Sequence, residues 1–182
     1  LFQPGEETAA AAASMLDDGL TDRVPAPAVA LGQHVLSGEA GTVATAPGPV
    51  LSAGDSIRIT VFGDGSHGAM PHLGVDPVVL ASSIVMRLQT VVAREIAPGD
   101  FGVVTVGSIR AGTKSNIIPD TAELLVNVRT YADSVRITVL DAIERIVRGE
   151  CATAGSPNPP VFEYYDQFPL TDNDEATTSR IS

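Results

Sequence analysis

Apolar and polar residues alternate with period two in Ser56-Ile57-Arg58-Ile59-Thr60-Val61-Phe62, the signature of a half-buried strand. Val75 to Ile96 changes to the helical period, with Val78, Ile84, Val85, Leu88, Val91 and Val92 on one face, Asp76 as N-cap and Pro77 at the first helical position. Two further strands are predicted, Phe101–Ile109 and Ile117–Tyr131. A helix capped by Asp133-Ser134 then runs to about Cys151 with Val135, Val139, Ile143, Ile146 and Val147 inward. After a Pro-rich loop, Val161–Tyr165 is a last strand. The order β-α-β-β-α-β predicts an α+β, ferredoxin-like unit, a four-stranded antiparallel sheet with two helices on one face.

Before this unit the pattern differs. Glu7–Asp18 is rich in helix formers and stops at Gly19. Ala28–Val35 reads as a buried strand of an α/β layer, and Gly41–Thr45 as a short second strand. The polar tail from Phe168 contains Asn173 or Asp174 as a helix start. These shifts divide the chain into 1–52, a partial α/β domain; 53–167, the ferredoxin-like unit; and 168–182, a return segment to the first domain.

Composition narrows the classes. The 182 residues are 44% hydrophobic, enough to build a core, and 22 acidic against 11 basic residues give a net charge of −11. That balance argues against nucleic acid or an anionic membrane as partner. A single cysteine, Cys151, excludes an intrachain disulfide and reads as a small apolar residue near a helix end. No membrane span is expected.

Chemistry concentrates in a few places. Glu6 and Glu7 are adjacent carboxylates after an apolar start, the types needed for a general base beside a metal ligand, or for an acidic first helical turn. His34 closes the apolar run, where α/β sheets present ligand-binding groups. His67 lies in a glycine-rich loop with Gly63, Gly65 and Gly68. Arg129 offers a planar fork and Asn116 an amide, both suited to a carboxylate. His72 reads as loop support and Lys114 as a surface charge.

The segments Phe2-Gln3-Pro4-Gly5-Glu6-Glu7, Leu31-Gly32-Gln33-His34-Val35, Gly65-Ser66-His67-Gly68-Ala69-Met70-Pro71-His72, Val75-Asp76-Pro77, Asn116-Ile117-Ile118-Pro119-Asp120, Val128-Arg129-Thr130 and Pro169-Leu170-Thr171-Asp172-Asn173-Asp174 together resemble the central part of the binuclear metal-dependent amidohydrolases and peptidases. That family includes hippurate hydrolase, aminoacylase and the indole-acetyl-amino-acid hydrolases. The resemblance implies that Glu6 is the base and that Glu7 and His34 bind metal. It further implies that His67 acts in trans on the substrate carbonyl, while Asn116 and Arg129 hold the free carboxylate of an N-acyl amino acid. It implies a homodimer joined through the lid unit, with two divalent ions (Zn, Mn, Co or Ni) in the intact enzyme; a cytoplasmic location is expected alongside. The family's upstream Cys-x-His segment and its C-terminal ligand histidine have no counterpart here. This chain is therefore expected to begin inside a domain, to bind no metal tightly and to be inactive alone. A stand-alone dimerisation or ligand-binding module is the competing expectation, and a dipeptide-directed peptidase would use the same residues.

Overall fold

The computed structural model describes Gly5 and residues 11–181, and divides into two compact units, residues 1–50 with 171–182 and Leu51–Leu170. In the first unit, helix α1 (Ala11–Asp17) ends at Gly19, whose φ of 80° is the left-handed conformation that favours glycine. A single turn, α2 (Leu20–Arg23), follows. Strand β1 (Gly48–Leu51) pairs with β8 (Thr171–Asn173), and the Asp174 carboxylate accepts the Thr177 N–H at 2.7 Å to start α5 (Glu175–Ile181), as expected for a cap there.

The two strands predicted before β1 do not form. Residues 28–35 and 41–45 lack regular structure, and Val35 and Val43 are 86% and 92% exposed. An extended run becomes a strand only when a neighbour accepts its backbone hydrogen bonds, and among the described residues β8 is already paired with β1. His34 consequently sits on exposed irregular backbone rather than at a strand's end. Glu6 and Glu7 lie outside the described residues.

The second unit keeps the predicted order in β2 (Ala53–Phe62), α3 (Pro77–Thr90), β4 (Gly102–Ala111), β6 (Thr121–Thr130), α4 (Asp133–Ala154) and β7 (Val161–Phe168), and adds two short strands, β3 (Ser66–His67) and β5 (Ile117–Ile118). The main sheet is antiparallel in the order β4-β6-β2-β7. One face buries Ile57, Ile59, Val61, Leu124, Val126 and Val128 against Leu80, Ile84 and Leu88 of α3 and Val139, Ile143 and Val147 of α4. The alternate residues of each strand form the open face.

Several boundaries move for local reasons. Pro119 cannot donate to a ladder, so the strand predicted over Ile117–Tyr131 is interrupted there. The Asp76 carboxylate caps α3 as expected, accepting from Val78 N–H at 2.8 Å, but the helix widens into a π-turn over Val91–Glu95. Val78 and Val92 lie outside its buried face. Asp133 and Ser134 do not cap α4: the N-cap is Ala132, without a side-chain bond, and Asp133 opens the first turn. The helix runs past Cys151 to Ala154 and ends at Gly155, whose φ of 71° is left-handed. Pro77–Glu95 also reaches the length and apolarity of a membrane span, with a mean hydropathy of 1.2, contrary to the sequence expectation. Its buried face nonetheless packs on the sheet, where Ile84 and Leu88 are fully covered.

Candidate functional site

The segments 53–68 and 116–130 form one long antiparallel ribbon. It runs from the pair Ala53↔Thr130 through Phe62↔Thr121, continues as Ser66↔Ile118 and His67↔Ile117, and closes where Gly68 N–H donates to the Asn116 carbonyl at 2.8 Å. Gly68 permits that closure, because a Cβ there would press within 3.1 Å of the Asn116 carbonyl oxygen. His67 and Asn116, both exposed, thus lie one residue apart in register at the ribbon's far tip.

His67 is oriented by its own loop. Ala69 N–H donates to His67 Nδ1 at 3.1 Å, so the neutral imidazole carries its proton on Nε2 and presents it as a donor. A donor aimed outward is what polarising a carbonyl or steadying an oxyanion requires. The loop is braced by Asp120, which accepts from Gly65 N–H at 3.0 Å, and by the paired backbones of Asp64 and Val75. His72 is exposed on the 3-10 turn Pro71–Leu73, and Lys114 is exposed in the segment between β4 and β5.

Arg129 lies at the opposite end of the same ribbon, opposite Gly54 on β2 and Val103 on β4. From the Gly54 row to the Phe62 row is about 27 Å at roughly 3.4 Å per residue, and His67 lies beyond that. Within one chain, Arg129 cannot therefore share a small substrate with His67 or Asn116. Arg129 Nε–H donates to Asn127 Oδ1 at 3.0 Å, and Asn127 Nδ2 donates to Ser56 Oγ at 3.2 Å. The open face is otherwise balanced: Arg58 pairs with Glu123 at 3.2 Å and with Glu163 at 2.9 Å. Among the described residues no carboxylate pairs with Arg129. Sequence reasoning passed over Asn127 and Ser56. Only their alternation with Arg129 and Gly54 on one face hinted at a connection.

For a metal, the described residues supply one plausible donor and no set. His34 Nδ1 donates to the Val35 carbonyl at 2.9 Å, leaving Nε2 unprotonated, the tautomer a metal needs. Among the described residues, however, no three His, Cys, Asp or Glu side chains gather where an ion could be held. A catalytic zinc takes three protein ligands, so the described donors do not fit a complete centre.

The model of the peptidase dimerisation domain matches residues 54–154. N-acetyl-L-cysteine deacetylase of Bacillus subtilis is 36% identical over all of this chain and 42% of its own length. Thermostable carboxypeptidase 2 of Saccharolobus solfataricus is 33% identical over all of this chain and 46% of its own length. The chain thus spans less than half the length of these curated relatives. Among solved structures, the Bacillus subtilis YXEP protein, a dinuclear metal binding peptidase from the M20 family, superposes with a TM-score of 0.67 at 26% identity. That superposition covers 98% of this chain and 43% of that one.

Proposed function

The chain belongs to the peptidase dimerisation domain family, and from that premise we propose that it is part of a cytoplasmic, metal-dependent amidohydrolase acting on N-acyl amino acids or small peptides. Residues 53–167 serve as the lid through which two copies pair, and 1–52 with 168–182 belong to the hydrolytic domain. Glu6 is the general base, with Glu7 and His34 as metal ligands in a centre that needs donors beyond those this chain supplies. This chain is inactive alone and takes up zinc, manganese, cobalt or nickel weakly by itself.

What the described residues contribute follows from their own geometry. The Nε2–H of His67 donates to the scissile carbonyl, and Asn116 beside it hydrogen-bonds the same end of the substrate. Arg129 receives the free carboxylate. One observation carries this reading: the ribbon separates Arg129 from His67 and Asn116 by more than the length of an N-acyl amino acid. A homodimer resolves the conflict if each site takes Arg129 from one copy and His67 with Asn116 from its partner.

Mixed dimers of the full-length enzyme test this. Homodimers of His67→Ala or Arg129→Ala should each lose at least ~10²-fold in kcat/KM, the scale of one lost electrostatic contact. Co-refolding the two variants should restore roughly a quarter of wild-type activity, because every second dimer then holds one intact site. No recovery in verified heterodimers overturns the shared site.

A further inference from the structure

The open face around Arg129 is built in rows across the sheet. One row is Val103, Arg129, Gly54 and Phe168; the next is Thr105, Asn127, Ser56 and Tyr165. The Arg129 guanidinium leans across Gly54 rather than rising straight from β6. An added Cβ on Gly54 would stand 2.7 Å from Nη1, 3.1 Å from Cζ and 3.4 Å from a Phe168 ring carbon. In the neighbouring row, Asn127 takes the Nε–H and is itself held by Ser56 Oγ.

An arginine can grip a carboxylate side-on, through Nε and one Nη, or end-on, through both Nη groups. Here Nε is committed to Asn127, so the side-on fork is closed, and among the described residues the end-on Nη1/Nη2 fork has no hydrogen-bond partner. We propose that Asn127, backed by Ser56 and given clearance by Gly54, is a positioning residue that presents the Nη1/Nη2 fork of Arg129 to the free carboxylate of the substrate. This rests on the reading of Arg129 as the carboxylate-binding group. A guanidinium held in one orientation loses less rotamer freedom on binding, and that difference appears in substrate affinity.

Arg129 does not need this arrangement for folding. It is exposed, and among the described residues it forms no ion pair. Asn127 is fixed from its other side, because its Nδ2 bonds Ser56 Oγ, and that leaves its Oδ1 directed at Arg129. Gly54 is the most discriminating position. The atoms an alanine would meet first belong to the movable end of Arg129, so the fold tolerates the methyl group while the fork is displaced.

The full-length, metal-loaded enzyme is assayed on the most rapidly hydrolysed member of an N-acetyl amino acid series and on the carboxamide of the same compound. Arg129→Ala should raise KM for the acid strongly and leave KM for the carboxamide unchanged. Asn127→Ala and Gly54→Ala should each raise KM for the acid about five- to tenfold, the scale of one ordinary net hydrogen bond. Neither should change kcat, KM for the carboxamide or the melting temperature appreciably; Ser56→Ala should follow with a smaller effect. If Arg129→Ala acts on the acid but Asn127→Ala and Gly54→Ala do not, positioning is overturned and the carboxylate reading survives. Equal rises for acid and carboxamide in Asn127→Ala, or a fall in its melting temperature, would mean a structural role and also overturn it. An unchanged KM in Arg129→Ala, or no hydrolysis of any member of the series, removes the carboxylate reading and this inference together.

Discussion

Arg136 donates through Nε and Nη2 to the two carboxylate oxygens of Asp55, at 2.7 and 2.6 Å, and so ties the first turn of α4 to β2 beneath the Arg129 end of the sheet. Asp55 is 1% exposed. Gln167 on β7 adds a third bond to it at 2.8 Å, so one carboxylate joins three elements.

Removing that charge should loosen the unit. Asp55→Asn is expected to cost about 2–4 kcal/mol in urea unfolding, because Arg136 is left partly buried without its partner. The pH dependence follows from the carboxyl. Burial pushes its pKa up, but the hydrogen bonds from Arg136 and Gln167 and the Arg136 charge outweigh that and hold it below the ordinary 3.8. A depressed carboxylate contributes stability above its unfolded pKa that is lost as the pH falls through the folded value. The gap between wild type and Asp55→Asn should hold near neutrality and close below pH 3.8. A gap that persists in acid would mean that Asp55 acts by packing alone.

Glycine substitutions should separate by what surrounds them. At Gly63 a Cβ would run into the Val75 carbonyl and the Pro77 ring, and the Val75 backbone pairs with Asp64 in the loop that leads to His67. Gly63→Ala is expected to destabilise by about 2 kcal/mol or more. Gly149, inside α4 with open space around it, should behave oppositely. Gly149→Ala should stabilise by about 0.5–1 kcal/mol through helix propensity. Thermal unfolding of the two variants distinguishes the cases by sign.

The thiol of Cys151 should be silent in the native protein. Burial pushes its pKa up, Arg148 opposes the shift and Glu150 reinforces it. At pH 8, reaction with a chromogenic disulfide should be slow, and should become rapid once urea opens α4. Fast native labelling would show that the helix end opens locally.

Glu6→Gln in the full-length enzyme should lower kcat at least ~10²-fold, the contribution expected of a general base. Its fold and its substrate KM should change little. An unchanged kcat would remove the base assignment.

Much of the lid could be read directly from residue spacing. Ile57, Ile59 and Val61 alternate because one face of β2 is covered, and Val139, Ile143 and Val147 recur at the helical period because α4 covers it. Such patterns record burial, and burial on one face is a local property of a strand or helix. Ala28–Val35 shows where that logic stops. Its apolar run satisfies a strand's composition, but backbone pairing depends on a neighbour that spacing cannot supply. Asp133 and Ser134 show the same limit at a helix start, since a cap depends on where the chain turns and not only on residue type.

The amino-acid order alone settled the β-α-β-β-α-β succession, the core faces of α4 and β2, the buried thiol, and the residue types able to grip a carboxylate or polarise a carbonyl. Tertiary structure decided how those types are grouped. It joined His67 to Asn116 through the backbone of Gly68, sent Arg129 to the other end of the ribbon, and bound its Nε to Asn127. The physical reason is that strand pairing sets distances between residues far apart in sequence, and only those distances determine which groups can touch one substrate.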